Sequence, residues 1–178
     1  MTRYLVRTLT RDDFTTLMAL ENEMFGQCGD GVLGPYYVRL CCDFFSDSCF
    51  LVETQGRPIG YLLSFVKDRE AYCTTLAMLP DYQGTRALVA LLRAFTQALI
   101  DRVDVVWFTV EEDNNAARTL HRMLGAQEIE VREDFYGPGR PRIVSRIDRN
   151  SLAKARDRFE RLGLLKLDRH DESTAQVA

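Results

Sequence analysis

The sequence predicts an α/β (α+β) domain in which a mixed central sheet carries helices on both faces. Three observations predict it. Strand-like and helix-like segments follow one another along 178 residues in the order β-α-α-β-β-β-α-β-α-β-β, with one more helix after them. The run "VDVVWFTV" (103–110) is β-prone and largely apolar, as expected of a strand buried on both faces. The stretch "MLPDYQGTRALVALLRAF" (78–95) reads as a strand end, a tight turn and an amphipathic helix.

Composition narrows the function classes. The chain is 46% hydrophobic and 28% charged, the profile of one ordinary globular domain large enough to bury a core. A net charge of −3 lacks the basic balance that nucleic acid usually requires, so no nucleic-acid partner is expected. "MTRYLVRTLTRDDF" has no signal-peptide core, and no apolar run is long enough for a membrane span. No membrane partner and a cytoplasmic location are therefore expected. The cysteines are Cys28, Cys41, Cys42, Cys49 and Cys73, with no CxxC pair and no Cys/His spacing for zinc, so no metal is expected. They read as reduced thiols packed as small hydrophobes.

"YLVRTL" (4–9) suits a first strand. Thr10 can cap a helix whose first turn holds Asp12 and Asp13, and which runs to about Met24. "GQCGDGVLGP" is a glycine-rich loop, and "YYVRLCCDFFSD" is a second helix. "CFLVETQGRPIGYLLSFV" is a hairpin turning at Gln55-Gly56-Arg57-Pro58. "AYCTTLAML" is the next strand, ended by Pro80. The following helix runs to about Ile100, with Leu88, Leu91, Leu92, Phe95 and Leu99 on one face. "NNAARTLHRMLG" is a helix capped by Asn114 and stopped by Gly125. "AQEIEVREDFY" and "RIVSRID" bracket "GPGRP" as a closing antiparallel pair. The last helix places Leu152, Phe159, Leu162 and Leu165 near one face, either to cover the sheet or to meet a second subunit as a homodimer. The remainder, which includes His170, reads as a solvated tail.

Two blocks carry a resemblance to the GNAT superfamily of acyl-CoA-dependent N-acetyltransferases, over roughly residues 3–148. The family shows strand, then Gln/Arg-x-x-Gly-x-Gly/Ala, then helix, and Gln83 fits its first position. "NNAARTLHRMLGA" is similar to the family's Asn-x-x-Ala-x-x-Leu-Tyr-x-x-x-Gly-Phe, with Asn114, Ala117, Leu120 and Gly125 in register. The resemblance implies a mixed, mostly antiparallel sheet of about seven strands with helices on both faces and an added C-terminal helix. It implies an acetyltransferase domain over residues 1–150, with 151–178 as helix and tail. It also implies acetyl-CoA as co-substrate.

The physical basis of the first block is general. The leading N–H groups of a helix lack internal partners and carry partial positive charge, so a pyrophosphate placed there is stabilised. Gln83, Gly84, Thr85, Arg86, Ala87 and Leu88 form this turn, and Leu76 and Met78 lie on the strand before it. Arg86 and Leu88 stand where the family has small residues; an arginine still offers its N–H and a cation for phosphate. A splay of that strand from "VDVVWFTV" is permitted, and in the family the pantetheine arm pairs there. Asn114 and Ala117 are the contacts implied on the second block.

Acetyl transfer requires a neutral amine, a donor for the developing oxyanion and stabilisation of the departing thiolate. An ammonium pKa near 10.4 calls for a base or a water relay. Glu70 and Glu111 are the carboxylate candidates, although a carboxylate at such a position is more often a solvated strand-end charge. His121 stands where the family commonly has a tyrosine near the sulfur; an unperturbed imidazole with a pKa of ~6.5 acts as acid or base near neutrality. Tyr72 and Thr74 share one strand face and are candidates to line the acceptor side, with Tyr36 on the second helix. "GQCGDGVLGPYYVRLCCDFFSDSCFLVE" resembles the same region of diaminobutyrate acetyltransferases, which implies a small amino-acid-like acceptor. A small-molecule amine is thus the expected partner. A protein or peptide amine is the alternative, as is a non-catalytic acyl-CoA-binding module or a Cys73-dependent acyl carrier.

Overall fold

The computed structural model describes residues 4–27 and 32–161. The expectations for Cys28, Leu162, Leu165 and His170, and for the Phe159 side chain, fall outside the described residues. Seven strands, β1 (Tyr4–Thr8), β2 (Phe50–Thr54), β3 (Arg57–Lys67), β4 (Glu70–Met78), β5 (Val105–Val110), β6 (Gln127–Arg132) and β7 (Arg142–Asp148), form one open sheet in the order β1-β2-β3-β4-β5-β7-β6. All neighbouring pairs are antiparallel except β4 and β5. Five α-helices lie among the described residues: α1 (Phe14–Phe25), α2 (Pro35–Asp43), α3 (Arg86–Leu99), α4 (Asn115–Met123) and α5 (Arg149–Arg161).

Local chemistry places these boundaries. Between β1 and α1, the Asp13 carboxylate accepts from the Thr10 N–H at 2.7 Å and from its hydroxyl at 2.8 Å. The same carboxylate takes both guanidinium arms of Arg7 at 2.7 Å. The β2–β3 hairpin turns on Gln55 (φ 51°) and Gly56 (φ 77°), the two positive φ values a tight two-residue turn demands. Gly60 of β3 is required for a different reason. A Cβ there would lie 2.7 Å from the Ala77 carbonyl oxygen of β4. Gly60→Ala is expected to cost about 2–3 kcal/mol, read as a lower urea midpoint at unchanged m-value.

The alternation of each strand divides the sheet into two layers. Tyr61 of β3 meets Glu21 of α1, and Phe65 meets Tyr37 of α2 at 5.7 Å, so α1 and α2 lie on this face. On the other face α3 packs over β1–β3 through Leu91, Leu92, Phe95 and Leu99, and α4 and α5 lie over β5 and β7. α5 contributes Leu152 to the core and packs on α3 and β7, so the helix begun at residue 149 is part of the domain body.

β5 corrects one expectation. Its burial alternates, with Val106, Phe108 and Val110 buried and Val105, Trp107 and Thr109 half-exposed. The run reads as uniformly apolar because Val105 and Trp107 are apolar too. Only one of its faces is covered by helix; the other looks into a groove.

Candidate active site

β4 and β5 pair only over their first four residues, from Glu70–Val105 to Cys73–Phe108. Residues 74–78 of β4 have no partner on the β5 side, so the two parallel strands part as they rise. By strand alternation the main-chain groups of Leu76 and Met78 face this opening. The free edge is enclosed in the middle of a sheet and has no neighbouring strand to occupy it. At its top, the Gln83 side-chain amide donates to the Met78 carbonyl at 3.2 Å, which ties the turn to the end of the strand.

The turn is built by its own residues. Gly84 has φ +68°, a value for which glycine is the natural residue. Thr85 is the α3 N-cap: its hydroxyl accepts from the Ala87 N–H at 3.2 Å and donates to the Tyr82 carbonyl at 2.7 Å. The N–H groups of Arg86 and Leu88 retain no intrahelical acceptor. The Arg86 guanidinium is exposed and unpartnered among the described residues. Ala87 is fully buried, so its small size serves the packing of α3 on the sheet.

Across the opening, α4 begins at Asn114, whose Oδ1 accepts from the Ala117 N–H at 3.0 Å and leaves its amide group free to donate outward. Two turns on, the His121 ring lies 4.6 Å from the ring of Phe108, the last β5 residue paired to β4. His121 therefore stands where the strands part. Its Nδ1 is buried with no hydrogen-bond partner. Burial pushes its pKa down to about 4, with only a weak upward pull from Glu128. At neutral pH the imidazole is uncharged, with one nitrogen to donate and one to accept.

The two carboxylate candidates are set apart. Glu70 sits at the foot of β4, on the paired side, accepting from Trp107 Nε1–H at 3.0 Å. Three residues of strand, roughly 10 Å, separate it from the parting point. Glu111 lies beyond the end of β5 and pairs with Arg142 at 2.7 Å. It lines an open cleft of about 790 Å³ with Glu112, Asp113, Gly139, Arg140, Pro141 and Arg142. A smaller groove of about 170 Å³ runs beside it over Tyr72, Trp107, Thr109, Arg132, Phe135 and Val144. Here Tyr72 hydrogen-bonds Thr109 at 2.7 Å, and burial pushes its hydroxyl up to about 12. Tyr72 and Thr74 do share a face, and Thr74 meets Tyr37 of α2. Tyr36, by contrast, is 79% exposed: α2 turns its neighbour toward the sheet.

Cys73 has the wrong chemistry for an acyl carrier. Its apolar surroundings push the thiol up to about 12, whereas nucleophilic cysteines require a stabilised thiolate. Among the described residues, no group of three or more His, Cys, Asp or Glu side chains is placed to hold a metal. No helix there is long and apolar enough to cross a membrane.

A family model described as the acetyltransferase (GNAT) family matches residues 14–126, which include both sequence blocks and the opening between them. The chain belongs to the GNAT acetyltransferase family. Among curated proteins, the [ribosomal protein bS18]-alanine N-acetyltransferase of Haemophilus influenzae is 31% identical over 87 residues, covering 48% of this chain and 58% of that protein. The match thus spans less than two thirds of that relative. Among solved structures, the ribosomal-protein-S18-alanine N-acetyltransferase of Escherichia coli superposes with a TM-score of 0.66 at 22% identity, covering 82% of this chain and 94% of that one. The diaminobutyrate acetyltransferase of Paenibacillus lautus, solved with L-2,4-diaminobutyric acid and coenzyme A, gives a TM-score of 0.65 at 19% identity, over 82% and 95% of the two chains. These structural likenesses are likenesses of fold.

Proposed function

We propose that this GNAT chain is an acetyl-CoA-dependent N-acetyltransferase that acts on a primary amine. The parting of β4 from β5 beside the α3 N-terminus carries the reading. The free edge of β4 offers main-chain donors and acceptors to an amide-bearing arm. The Arg86 and Leu88 N–H groups, the helix dipole and the Arg86 side chain suit a pyrophosphate. The Asn114 amide faces the same opening from α4.

Acetyl-CoA supplies an acetyl group activated as a thioester. This chain's residues supply position and proton control. The free N–H groups of Leu76 and Met78 polarise a carbonyl laid along the strand without any charged side chain. His121, uncharged and with Nδ1 buried, takes or gives a proton at its other ring nitrogen. It is suited to carry a proton between the attacking amine and the departing thiolate. With Glu111 paired to Arg142 and Arg140 on the same lining, Glu112 and Asp113 leave the cleft beyond β5 a small negative excess that suits a cationic amine.

The openness of that cleft among the described residues favours an amine carried on a peptide or protein over an enclosed small molecule. The bS18-alanine acetyltransferases among the relatives lend this acceptor class support, and the diaminobutyrate enzyme supports the small amine. Calorimetry with acetyl-CoA tests the cofactor reading. Micromolar binding is expected, weakened about tenfold by Arg86→Glu and several-fold by Asn114→Ala. No binding to acetyl-CoA or longer acyl-CoAs overturns the reading. A panel of short peptides with free α-amines, run beside diamino acids, then separates the two acceptor classes.

A further inference from the structure

β4 departs from a regular strand at one residue. On β3, Leu63 pairs with Thr75 and the next residue, Ser64, pairs with Cys73, so Thr74 is the extra residue of a bulge. A bulge bends its strand and increases the local twist. This bulge stands one residue past Cys73–Phe108, the last β4–β5 pair. The opening begins where the bulge begins.

A chain of hydrogen bonds holds the bulge. The Thr74 hydroxyl donates to the Leu63 carbonyl at 3.1 Å. With its single proton committed there, Thr74 accepts from the hydroxyl of Tyr37 on α2. Burial keeps the Tyr37 hydroxyl protonated, and therefore a donor, at every physiological pH. The Tyr37 ring is fixed edge-on to Phe65 at 5.7 Å, and Phe65 in turn packs on Phe45 at 4.5 Å. One turn along α2, Cys41 is fully buried. The helix beside the acceptor face is thereby fastened to the strand residue that opens the cofactor cleft.

We propose that Tyr37 is a positioning residue: through Thr74 it holds the β4 bulge, and so sets the affinity of the cleft for acetyl-CoA without touching it. This rests on the acetyl-transfer reading. The test is calorimetric binding of acetyl-CoA to wild type, Tyr37→Phe, Thr74→Val and the double variant, with amide exchange of residues 74–78 in each. Phenylalanine keeps the ring against Phe65 and removes only the hydroxyl. The expected result is about tenfold weaker acetyl-CoA binding for Tyr37→Phe, faster exchange at 74–78, and a double variant no weaker than the worse single one. For Tyr37→Phe, amine KM is expected to stay within about twofold, a split that general destabilisation does not produce. Tyr37→Phe binding acetyl-CoA as wild type does, or additive single losses, overturns the positioning role and leaves the acetyl-transfer reading standing. Failure of the wild type itself to bind overturns both.

Discussion

His121→Phe is expected to slow acetyl transfer by about two orders of magnitude while leaving the fold at least as stable. Phenylalanine preserves the stack on Phe108 and removes both ring nitrogens, one of which is buried without a partner. Deleting an unsatisfied buried polar atom is neutral or stabilising, so the loss is confined to turnover. The pH dependence is a second signature. Burial holds the folded His121 pKa at about 4, below the usual ~6.5 for an unfolded chain. As pH falls, the unfolded chain takes the proton first. The neutral ring's contribution to stability is therefore complete above 6.5 and is lost between 6.5 and about 4. In wild type, stability should fall across that window, and His121→Phe should flatten that part of the curve. The rate profile should show no histidine inflection near 6.5. An inflection there, or a His121→Phe variant with wild-type turnover, removes His121 from the proton path.

The histidine illustrates what the sequence discloses and what it withholds. Its position in "NNAARTLHRMLG" is legible because helix caps and apolar spacing are local signals, and Asn114 and Gly125 end α4 as those signals require. Its charge state is not legible, because Phe108 and the burial that sets it come from β5. The same division runs through the site. Hairpin, turn and α3 follow from glycine, proline and periodicity. The bulge at Thr74 does not, since "AYCTTLAM" alternates no differently from an unbroken strand; only the pairing with β3 reveals the extra residue. Tyr36 and Tyr37 are adjacent and chemically alike. The buried positions Val38, Cys41 and Cys42 mark which side of α2 faces inward, and the i, i+4 pair Tyr37–Cys41 was the available clue to the inward tyrosine. The open face of β5 was hidden by the apolar character of Trp107 and Val105, residues that line a groove as readily as a core.

Asp13→Ala is expected to destabilise the fold by about 2–4 kcal/mol, the largest stability loss anticipated for a single polar side chain here. The carboxylate is only 6% exposed and serves four donors at once: two arms of Arg7, and the N–H and hydroxyl of Thr10. Removing it leaves the Thr10 groups without their acceptor. Arg7 keeps Glu53 at 3.0 Å, which limits the damage on that side. The Arg7 guanidinium, and after it the Thr10 donors, hold the Asp13 pKa down at about 2, below the usual aspartate value of 3.8. Here the sign is opposite to that of a raised group. The ionised carboxylate stabilises the fold fully above 3.8, and the contribution, about 2 kcal/mol, is lost as pH falls from 3.8 toward 2. Urea titrations of wild type and Asp13→Ala at pH 7 and pH 3 measure both effects. The gap between the two proteins should narrow at pH 3, and a gap that is absent at pH 7 or constant with pH contradicts the assignment. Because Asp13 fastens the start of α1 to β1, the variant also separates scaffold from chemistry. α1 and α2 form the layer that carries Tyr37, so loosening α1 should lower the melting midpoint well before it alters acetyl-CoA binding at 25 °C.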